Sequence, residues 1–423
     1  MNPRTLLIDS FHAAVAAADP LKIVAAHLPS PPKGRTLVVG AGKAAASMAL
    51  AVERAWPHTA SIEGLVVTRY AHGLETSHIE VIEAGHPVPD GAGEKAAVEI
   101  FERASALGVD DLLIALISGG GSSLLSLPVD GISMADLKKV TSSLLHSGAP
   151  ITEMNIVRKH LSRVQGGRLA AACKAPVVTL IISDVTGDDP SAIASGPTCA
   201  DSSTYQDALD VLARFQVDAP ASVIAHLQAG KAGAVSETPK PGEASIAHAE
   251  NKVIATAHQS LQASADFFRA ASITPVVLGD TVTGEASEVA KVYAALVREI
   301  RCHHQPFKPP VALISGGECT VTVRGNGRGG RCAEFLASLA VELDGMDGVY
   351  ALAADTDGID GTEDNAGAFL FPDTTARAAQ LGLSAKAMLA NNDGYSYFEA
   401  LNDLLVTGPT RTNVNDYRVI LVL

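Results

Sequence analysis

The segment TLVVGAGKAAASMALAVERAW, residues 36–56, decides the fold class predicted for this chain. Its first residues, Thr36–Gly40, are apolar or small and predict a short buried strand. A glycine turn follows the strand and opens an alanine-rich helix. This order, with the spacing G-x-G-x-x-A, is typical of dinucleotide-binding sheets and predicts a Rossmann-like, doubly wound α/β fold.

The same segment is weaker evidence for a bound dinucleotide. Such a site has an acidic residue at the end of the next strand, where it holds a ribose, but the predicted strand Gly64–Val67 is followed by a threonine and an arginine. Lys43 in the first helical turn is unusual, because its ammonium group would lie beside the loop amides. We expect Lys43, with Gly40 and Gly42, to contact an anionic ligand; the alternative is a solvated lysine.

The composition limits the classes of protein to which the chain can belong. Its 423 residues are enough for two or three domains, and 47% hydrophobic with only 4% aromatic residues predicts a core of Ala, Val, Leu and Ile. The net charge of −14 argues against a nucleic-acid or anionic-membrane surface. The five cysteines form no CxxC pair, so neither a disulfide scaffold nor a structural zinc site is expected. We expect a soluble cytoplasmic protein, and the sequence leaves open whether it forms a homodimer.

One design occurs at two strand ends, in LLIALISGGGSS (112–123) and in VALISGGECT (311–320). Each has an apolar run that predicts a buried strand, followed by glycines that let the backbone approach a ligand. The first is expected to form a cradle of amides and hydroxyls for an anion. A flexible linker is the alternative, but linkers do not follow long apolar strands. The predicted binding residues are Ser118, Gly119, Gly120, Gly121 and Ser122 in the first segment and Gly316, Gly317 and Glu318 in the second.

A glycine-rich stretch with two arginines, GNGRGGR (325–331), follows the second strand. Its backbone can bring several amides close to an anion, and Arg328 and Arg331 offer planar guanidinium groups for phosphate or carboxylate oxygens. The predicted helix Cys332–Val341 would add the positive end of its dipole. The alternative is a flexible hairpin tip with two solvated arginines.

Another basic segment is NIVRKHLSRVQGGRLAAA, residues 155–172. It is the most basic segment of an acidic chain. Lys159 and Arg163 lie four residues apart, so they are expected to share a helix face, which leaves room for one shared target.

Carboxylates gather after two other predicted strands. The loop SDVTGDDP (183–190) carries Asp184, Asp188 and Asp189, which would repel one another unless a cation or hydrogen-bond donor lies among them. This predicts a metal site or a general base; the alternative is an exposed Asp-rich turn. A second cluster, DTDGIDG (355–361), contains Asp357 and Asp360.

The stretch SETPKPGE (236–243) has linker composition, and we expect domains at 1–237 and 245–423. Almost all of these motifs follow the carboxyl ends of strands, where α/β sheets bind ligands, and they occur on both sides of the linker. A site in an interdomain cleft is therefore expected. Its glycine loops, cations and carboxylates suit phosphoryl transfer, although no Walker A or protein-kinase motif is present.

The motifs together resemble the class II glycerate 2-kinase family, also called the MOFRL family and often labelled hydroxypyruvate reductase in tartrate-degradation operons. The resemblance covers essentially the whole chain in the same order. It rests on GAGK (40–43), GHPVPD (85–90), SGGGS (118–122), ISDVTGDDPSAIASGPT (182–198), SGGE (315–318), GRGGR (327–331), DGIDG (357–361), TGPT (407–410) and TNVND (412–416).

The resemblance implies phosphorylation of the 2-hydroxyl of D-glycerate by ATP with Mg²⁺. It also implies an N-terminal Rossmann-like domain and a smaller C-terminal α/β domain. The functional lysine of the family corresponds to Lys43, and its functional arginine to Arg328 or Arg331. One departure is Cys332-Ala333-Glu334, where the family usually has Asn-Gln-Glu.

From these implications we expect the following roles. The amides of 118–122, with one arginine of GRGGR, would hold the glycerate carboxylate or the transferred phosphoryl group, and Lys43 would neutralise charge on the γ-phosphate. Asp184 and Asp189 are candidates for Mg²⁺ binding or the general base, and Asp357 and Asp360 are the reserve candidates. The other predicted binding residues are Asn413 and Asn415. Two alternatives are an NAD(P)H-dependent hydroxypyruvate reductase and a non-catalytic binder of small anions.

Overall fold

The computed structural model describes residues 2–423, which form two compact units. One unit is 20–254, and the other combines 2–19 with 255–423. The helices are α1 (Pro3–Ala17), α2 (Pro20–Ile23), α3 (Ala45–Ala55), α4 (Gly91–Ser105), α5 (Gly121–Leu124), α6 (Met134–His146), α7 (Ile151–His160), α8 (Arg168–Ala172), α9 (Tyr205–Arg214), α10 (Ala221–Lys231), α11 (Ala257–Ala270), α12 (Ala286–His303), α13 (Arg331–Leu343), α14 (Thr374–Gln380), α15 (Ala385–Ala390) and α16 (Gly394–Ala400).

The strands are β1 (Thr36–Ala41), β2 (Ile62–Arg69), β3 (Ile79–Ala84), β4 (Leu112–Ile117), β5 (Val177–Ile182), β6 (Ala249–Ala255), β7 (Thr274–Gly279), β8 (Gly284–Glu285), β9 (Val311–Ser315), β10 (Cys319–Thr320), β11 (Val349–Asp355), β12 (Gly367–Leu370), β13 (Leu404–Leu405) and β14 (Asp416–Val422). Short 3₁₀ helices cover Val24–His27, Ile193–Ser195 and Ala244–Ile246. None of the helices within residues 2–423 is both long and apolar enough to cross a membrane.

The unit 20–254 is built on a six-stranded sheet with the order β3-β2-β1-β4-β5-β6. Strands β1 to β5 pair in parallel, and every residue of β1, β4 and β5 is buried. Buried parallel strands read as continuous apolar runs, which is why the sequence predicted them. The order reverses between β1 and β4, and such a switch point is where doubly wound sheets bind ligands. The predicted Rossmann-like fold class is confirmed.

The other unit has a mixed sheet with the order β13-β12-β11-β14-β9-β7. Only β7 and β9 pair in parallel, and the remaining neighbours pair antiparallel. Helices α12 and α13 pack in the core on one face, and α1 and α11 pack in the core on the other. Both faces of this sheet are therefore covered, as in an α/β layer.

Helix α1 belongs to the same compact unit as the C-terminal sheet. Its residues Leu7 and Phe11 are fully buried in the core that contains Tyr417 of β14. The Tyr417 hydroxyl donates to Ser10 Oγ at 2.8 Å and lies 2.6 Å from Ser264 Oγ. The apolar face of α1 thus covers the sheet, a role that its position in the sequence does not reveal.

The middle of the stretch 236–243 is fastened to its compact unit, whereas its two ends are exposed. Glu237 Oε1 lies 2.9 Å from His160 Nε2, and Thr238, which is 1% exposed, donates to Asp201 Oδ2 at 3.1 Å. Its prolines and glycine indicated a linker, but its polar side chains fasten it to α7 and to the loop before α9. The compact units change at residue 254 instead, and the predicted domain ranges 1–237 and 245–423 stay a prediction.

Candidate functional site

The loops after β1 and β4 are in direct contact. A Cβ atom at Gly40 would lie 2.4 Å from the carbonyl oxygen of Leu116, and one at Gly42 would lie 2.1 Å from Ser118 Oγ. Gly42 also has φ 137°, a conformation that disfavours other residues. These two glycines, predicted to bind a ligand, therefore allow the two loops to approach each other.

Backbone hydrogen bonds join the same two loops. The Lys43 amide donates to the carbonyl oxygen of Gly119 at 2.8 Å, and the Ala44 amide donates to Ser118 Oγ at 3.0 Å. Both amides are therefore occupied within the protein, and the predicted ligand contacts of Gly40 and Gly42 stay a prediction. The Lys43 side chain, not the turn backbone, is left as the ligand candidate on this loop.

Lys43 lies beside the glycine turn after β4. A Cβ atom at Gly120 would lie 3.6 Å from Lys43 Cγ and 2.9 Å from His86 Nε2. Both side chains are half-buried. The structure thus brings Lys43 and Gly120 together as predicted. It adds His86, which the sequence indicated only as part of a proline-rich turn.

The turn after β4 retains three amides that an anion can use. Among hydrogen bonds within residues 2–423, the amides of Gly119, Gly120 and Ser122 donate none, whereas the Gly121 amide donates to the carbonyl oxygen of Ser118 at 3.2 Å. Gly120 adopts φ 82° and directs the chain into the short helix α5. This geometry supports the predicted amide cradle, with these three amides as its donors.

A strained backbone segment lies against this turn. Ala194, Ser195 and Gly196 have φ of 50°, 59° and 57°, and a Cβ atom at Gly121 would lie 2.6 Å from Ala194 Cβ. The buried Ser195 Oγ lies 2.9 Å from Ser122 Oγ. Strain of this kind is retained where surrounding contacts demand it, often at functional sites. These residues lie in the run 182–198 that carries the family resemblance, but their sequence alone predicts no individual role for them.

The two predicted metal ligands have different surroundings. Asp184, just after β5, is half-buried, whereas Asp189 is exposed and accepts hydrogen bonds from the Ser191 amide at 2.9 Å and the Ser191 hydroxyl at 3.0 Å. Within residues 2–423 no three His, Cys, Asp or Glu side chains are grouped to hold a metal. Mg²⁺ in phosphoryl-transfer sites needs only one or two carboxylates beside the phosphates. Asp184 fits that requirement, and Asp189 shapes its turn.

The glycine-rich stretch of the other unit is held by side chains. The amides of Arg324 and Gly325 donate to Asn392 Oδ1 at 2.7 and 3.0 Å, and the Arg328 amide donates to Asp393 Oδ1 at 3.1 Å. The Asn326 amide donates to Asn391 in the same way. The expectation that this backbone would bind an anion is corrected for these amides, because their hydrogen bonds go to residues 391–393.

Arg328 and Arg331 now differ clearly. The Arg328 guanidinium lies over the Tyr395 ring at 4.2 Å, its Nε donates to Glu363 Oε2 at 2.9 Å, and its side chain is 52% exposed. The hydrogen bond to Glu363 raises the pKa of Arg328. This arginine is charged, stacked and open to solvent.

Arg331 lies among carboxylates. It donates to Asp416 Oδ1 and Asp355 Oδ2, both at 2.7 Å, and its Nη1 lies 3.4 Å from Glu318. Burial disfavours its charge, but these carboxylates raise the pKa of Arg331 well above its ordinary range. Asp416 also accepts a hydrogen bond from the buried Arg418 at 2.6 Å. Arg331 therefore stabilises buried carboxylates.

Asp360 caps helix α13. Its carboxylate accepts hydrogen bonds from the amides of Cys332 at 3.0 Å and Ala333 at 2.8 Å. Burial raises the pKa of Asp360 to about 6, although the helix amides oppose this shift. The predicted anion site at this helix N-terminus is corrected, because a side chain of the protein occupies it. Cys332 and Ala333, where the family pattern is broken, are themselves buried.

The remaining predicted residues of this unit also serve the local structure. A Cβ atom at Gly317 would lie 2.3 Å from the Val282 carbonyl oxygen, and Asp357 Oδ1 accepts from the Ile359 amide at 2.8 Å. The Gly316 carbonyl oxygen accepts from Arg418, and Asn413 Oδ1 accepts from the Asn415 amide at 3.4 Å. Their contacts with a ligand stay a prediction.

Two family profiles match the chain. Residues 6–228 match the family described as "Domain of unknown function (DUF4147)", and residues 311–416 match the MOFRL family. A protein of Agrobacterium vitis with the provisional name hydroxypyruvate reductase is 49% identical over 100% of this chain and 95% of its own length. The D-glycerate 2-kinase of Thermotoga maritima is 37% identical over 99% of this chain and 98% of its own length.

A solved structure agrees with the second of these relatives. The crystal structure of a glycerate kinase from Thermotoga maritima is similar with a TM-score of 0.87 and 37% sequence identity, and the match covers 99% of each chain. At this identity and coverage the likeness extends over almost the whole chain.

Replacement by methionine is expected to lower the free energy of unfolding at Arg331 but not at Arg328. Arg331→Met removes the arginine from the buried Asp355, leaves Asp416 with Arg418 alone, and should lower the free energy of unfolding by about 3–5 kcal/mol. Arg328→Met, the matched control on the surface, should leave the free energy of unfolding close to that of the wild type. Urea denaturation of both variants measures the difference. Equal stabilities would contradict the buried network.

Because of Asp360, the free energy of unfolding is expected to depend on pH. Its pKa is raised from 3.8 to about 6 in the folded protein. Its contribution is therefore fully present below pH 3.8 and is lost as the pH rises through 6. Between pH 4 and 6.5 the wild type should lose about 2 kcal/mol relative to Asp360→Asn, at about 1.4 kcal/mol per pKa unit over the full titration. Urea denaturation at several pH values across this range measures the effect, with the exposed Asp266→Asn as the control. If the free energy of unfolding changed with pH in parallel for the wild type and Asp360→Asn, the prediction would be refuted.

Proposed function

Because the chain belongs to the glycerate kinase family that combines the DUF4147 and MOFRL domains, we propose that it is a glycerate 2-kinase, an enzyme that transfers a phosphoryl group to the 2-hydroxyl of D-glycerate. The likeness to glycerate kinases over almost the whole chain, in sequence and in fold, carries this proposal. The loops at the switch point between β1 and β4 supply the cation and amide donors that a transferred phosphoryl group needs.

The reductase name of the Agrobacterium relative is less compatible with the site. A nicotinamide dinucleotide needs free amides in the turn after β1 and an acid after β2. Here the amides of Lys43 and Ala44 are occupied, and β2 ends at Arg69. Phosphoryl transfer explains Lys43 and Asp184 together, whereas hydride transfer explains neither.

A kinase takes its phosphoryl group from a nucleotide, and for this chain we propose ATP with Mg²⁺. Lys43 and the amides of Gly119 and Gly120 would bind phosphate oxygens, since they are positive or hydrogen-bond donating and lie side by side. Asp184 would hold the Mg²⁺, which when bound supplies positive charge to the phosphates. Asp189 would keep the Asp184 loop in shape through its hydrogen bonds to Ser191.

The acceptor hydroxyl must also lose its proton. A carboxylate within hydrogen-bond reach can accept it, and Asp184 and Asp189 are the candidates on the β5 loop.

Of the two GRGGR arginines, we assign the ligand-binding role to Arg328, because Arg331 is fully engaged by carboxylates. The interdomain cleft stays a prediction. The five free cysteines accord with the proposed cytoplasmic location.

The product of the reaction tests the proposed function directly. Purified protein incubated with D-glycerate and MgATP should form 2-phospho-D-glycerate, identified by phosphorus and proton NMR. The same protein should not consume NADH or NADPH with hydroxypyruvate. Phosphorylation at the 3-position, or oxidation of the nicotinamide without phosphoryl transfer, would overturn the assignment.

Lys43 is expected to act on the chemical step. Lys43→Met removes the cation beside the amides of Gly119 and Gly120 and should lower kcat at least about 100-fold. Lys139→Met is the control, because Lys139 is exposed and pairs with Asp218 on the surface. Steady-state kinetics and thermal melting of both variants separate catalysis from folding. A Lys43→Met enzyme within a few-fold of wild-type turnover would remove this lysine from the mechanism.

A further inference from the structure

The basic segment 155–172 does not act as one cluster. Helix α7 ends at His160, so Lys159 and Arg163 do not share a helix face, and that expectation is wrong. Lys159 pairs with Asp201 at 3.4 Å, and both side chains are buried. This lysine compensates an internal carboxylate and is not directed at a ligand.

Two more cations of the segment have partners of their own. The Arg163 guanidinium lies over the Phe101 ring at 4.7 Å, with Asp130 at 3.7 Å. Arg168 Nη2 donates to the Tyr205 hydroxyl at 3.0 Å. Partners within the protein therefore account for the positive charges of Arg163 and Arg168, and no ligand is needed to explain them. Arg158 is the fourth cation, and its surroundings differ.

Arg158 is half-buried and lacks an anionic partner within residues 2–423. Its one hydrogen bond there runs from Nη1 to Asn155 Oδ1 at 3.4 Å, and it belongs to no ion pair. Burial lowers the pKa of Arg158, and no nearby carboxylate counteracts this. A guanidinium has five donors, and withdrawing it from water without a counter-charge is unfavourable. Such an arginine indicates that an anion completes its surroundings.

A chain of hydrogen bonds connects Arg158 to the glycine turn after β4. Asn155 Oδ1 also accepts from Ser195 Oγ at 3.2 Å, and Ser195 Oγ lies 2.9 Å from Ser122 Oγ. Asn155 is itself fixed, because its Nδ2 donates to the Ala192 carbonyl oxygen at 3.3 Å. Helix α7, the strained segment 194–196 and the glycine turn are therefore joined by one hydrogen-bonded network, in which Asn155 and Ser195 are buried and Ser122 is half-buried. Arg158 lies at one end and the amides of Gly119 and Gly120 lie near the other.

We propose that Arg158 binds the carboxylate of glycerate, with the hydroxyl of Ser122 beside it and the buried Ser195 holding that hydroxyl in place. This inference rests on the proposed glycerate kinase function. The Nη1 contact with Asn155 leaves the remaining guanidinium donors for a planar two-oxygen partner, and a carboxylate fits that geometry. Lys43 and the two glycine amides then remain for the phosphoryl group. The arrangement makes the acid group of the substrate a condition for binding, so neutral polyols are rejected.

The kinetic test compares Arg158→Gln with Arg163→Gln, which removes a cation from the same segment. Arg158→Gln should raise KM for D-glycerate about 10- to 100-fold, the effect of losing a charge-assisted hydrogen-bond pair. KM for ATP should change less than about twofold. Arg163→Gln should leave both constants near wild type. Arg158→Lys should restore part of the glycerate affinity, because it keeps the charge but not the planar fork.

A neutral analogue identifies the group that is recognised. Wild-type enzyme should prefer D-glycerate to its amide, glyceramide, and Arg158→Gln should lose most of this preference in kcat/KM. A rise in KM for ATP instead of glycerate would overturn the assignment in favour of a phosphate-binding role. An unchanged KM for glycerate with unchanged discrimination would also overturn it.

Thermal melting distinguishes binding from a structural role without measuring activity. Ligand-free Arg158→Gln should melt at or above the wild-type temperature, because a desolvated cation has been removed. D-glycerate should raise the melting temperature of the wild type and of Arg163→Gln but not of Arg158→Gln. A lower melting temperature for the ligand-free variant, with its glycerate shift intact, would refute the inference. Wild-type enzyme that shows this glycerate shift but transfers no phosphoryl group would reject the proposed function alone.

Discussion

The contact between the loops after β1 and β4 governs the geometry of the site in the unit 20–254. There is no space for a side chain between Gly42 and Ser118, so the two strand ends lie within hydrogen-bond distance of each other. The Lys43 and Ala44 amides then join the loops. Because both loops are fixed to buried parallel strands, Lys43 is held beside Gly120 by the sheet itself. A larger residue at position 42 would separate the cation from the amides.

The second unit reaches rigidity by other means. Its glycine-rich stretch has little side-chain packing, so amide and carboxylate side chains of residues 391–393 fasten its backbone. Its buried carboxylates are compensated by Arg331 and Arg418 or, in the case of Asp360, by helix amides. Buried charges of this kind fix one arrangement, since any displacement leaves a charge unpaired. The polar motifs here therefore have mainly structural partners.

The sequence was sufficient to predict the strand ends and the fold class, because buried strands and glycine turns are local patterns. It was not sufficient to predict which polar groups satisfy one another, because the partners lie far apart in the chain. The amides of 324–328 bond to residues more than 60 positions away, and Ser10 meets Tyr417 across 407 positions. The composition of 236–243 likewise does not show that Thr238 is buried against Asp201. The sequence shows Arg158 only as part of a basic segment, since its lack of an anionic partner within residues 2–423 is a three-dimensional property.

The position of β14 bears on how the polypeptide acquires its structure during synthesis. This last strand lies between β11 and β9, in the middle of its sheet, and Tyr417 on it anchors the first helix. That sheet lacks a central strand until β14 has been synthesised, while 20–254 already contains all the strands that its own sheet requires apart from the last residue of β6. Helix α1 therefore cannot contact Tyr417 until β14 has emerged from the ribosome. Until then α11 covers only part of the apolar face of α1, and the rest is open to chaperones.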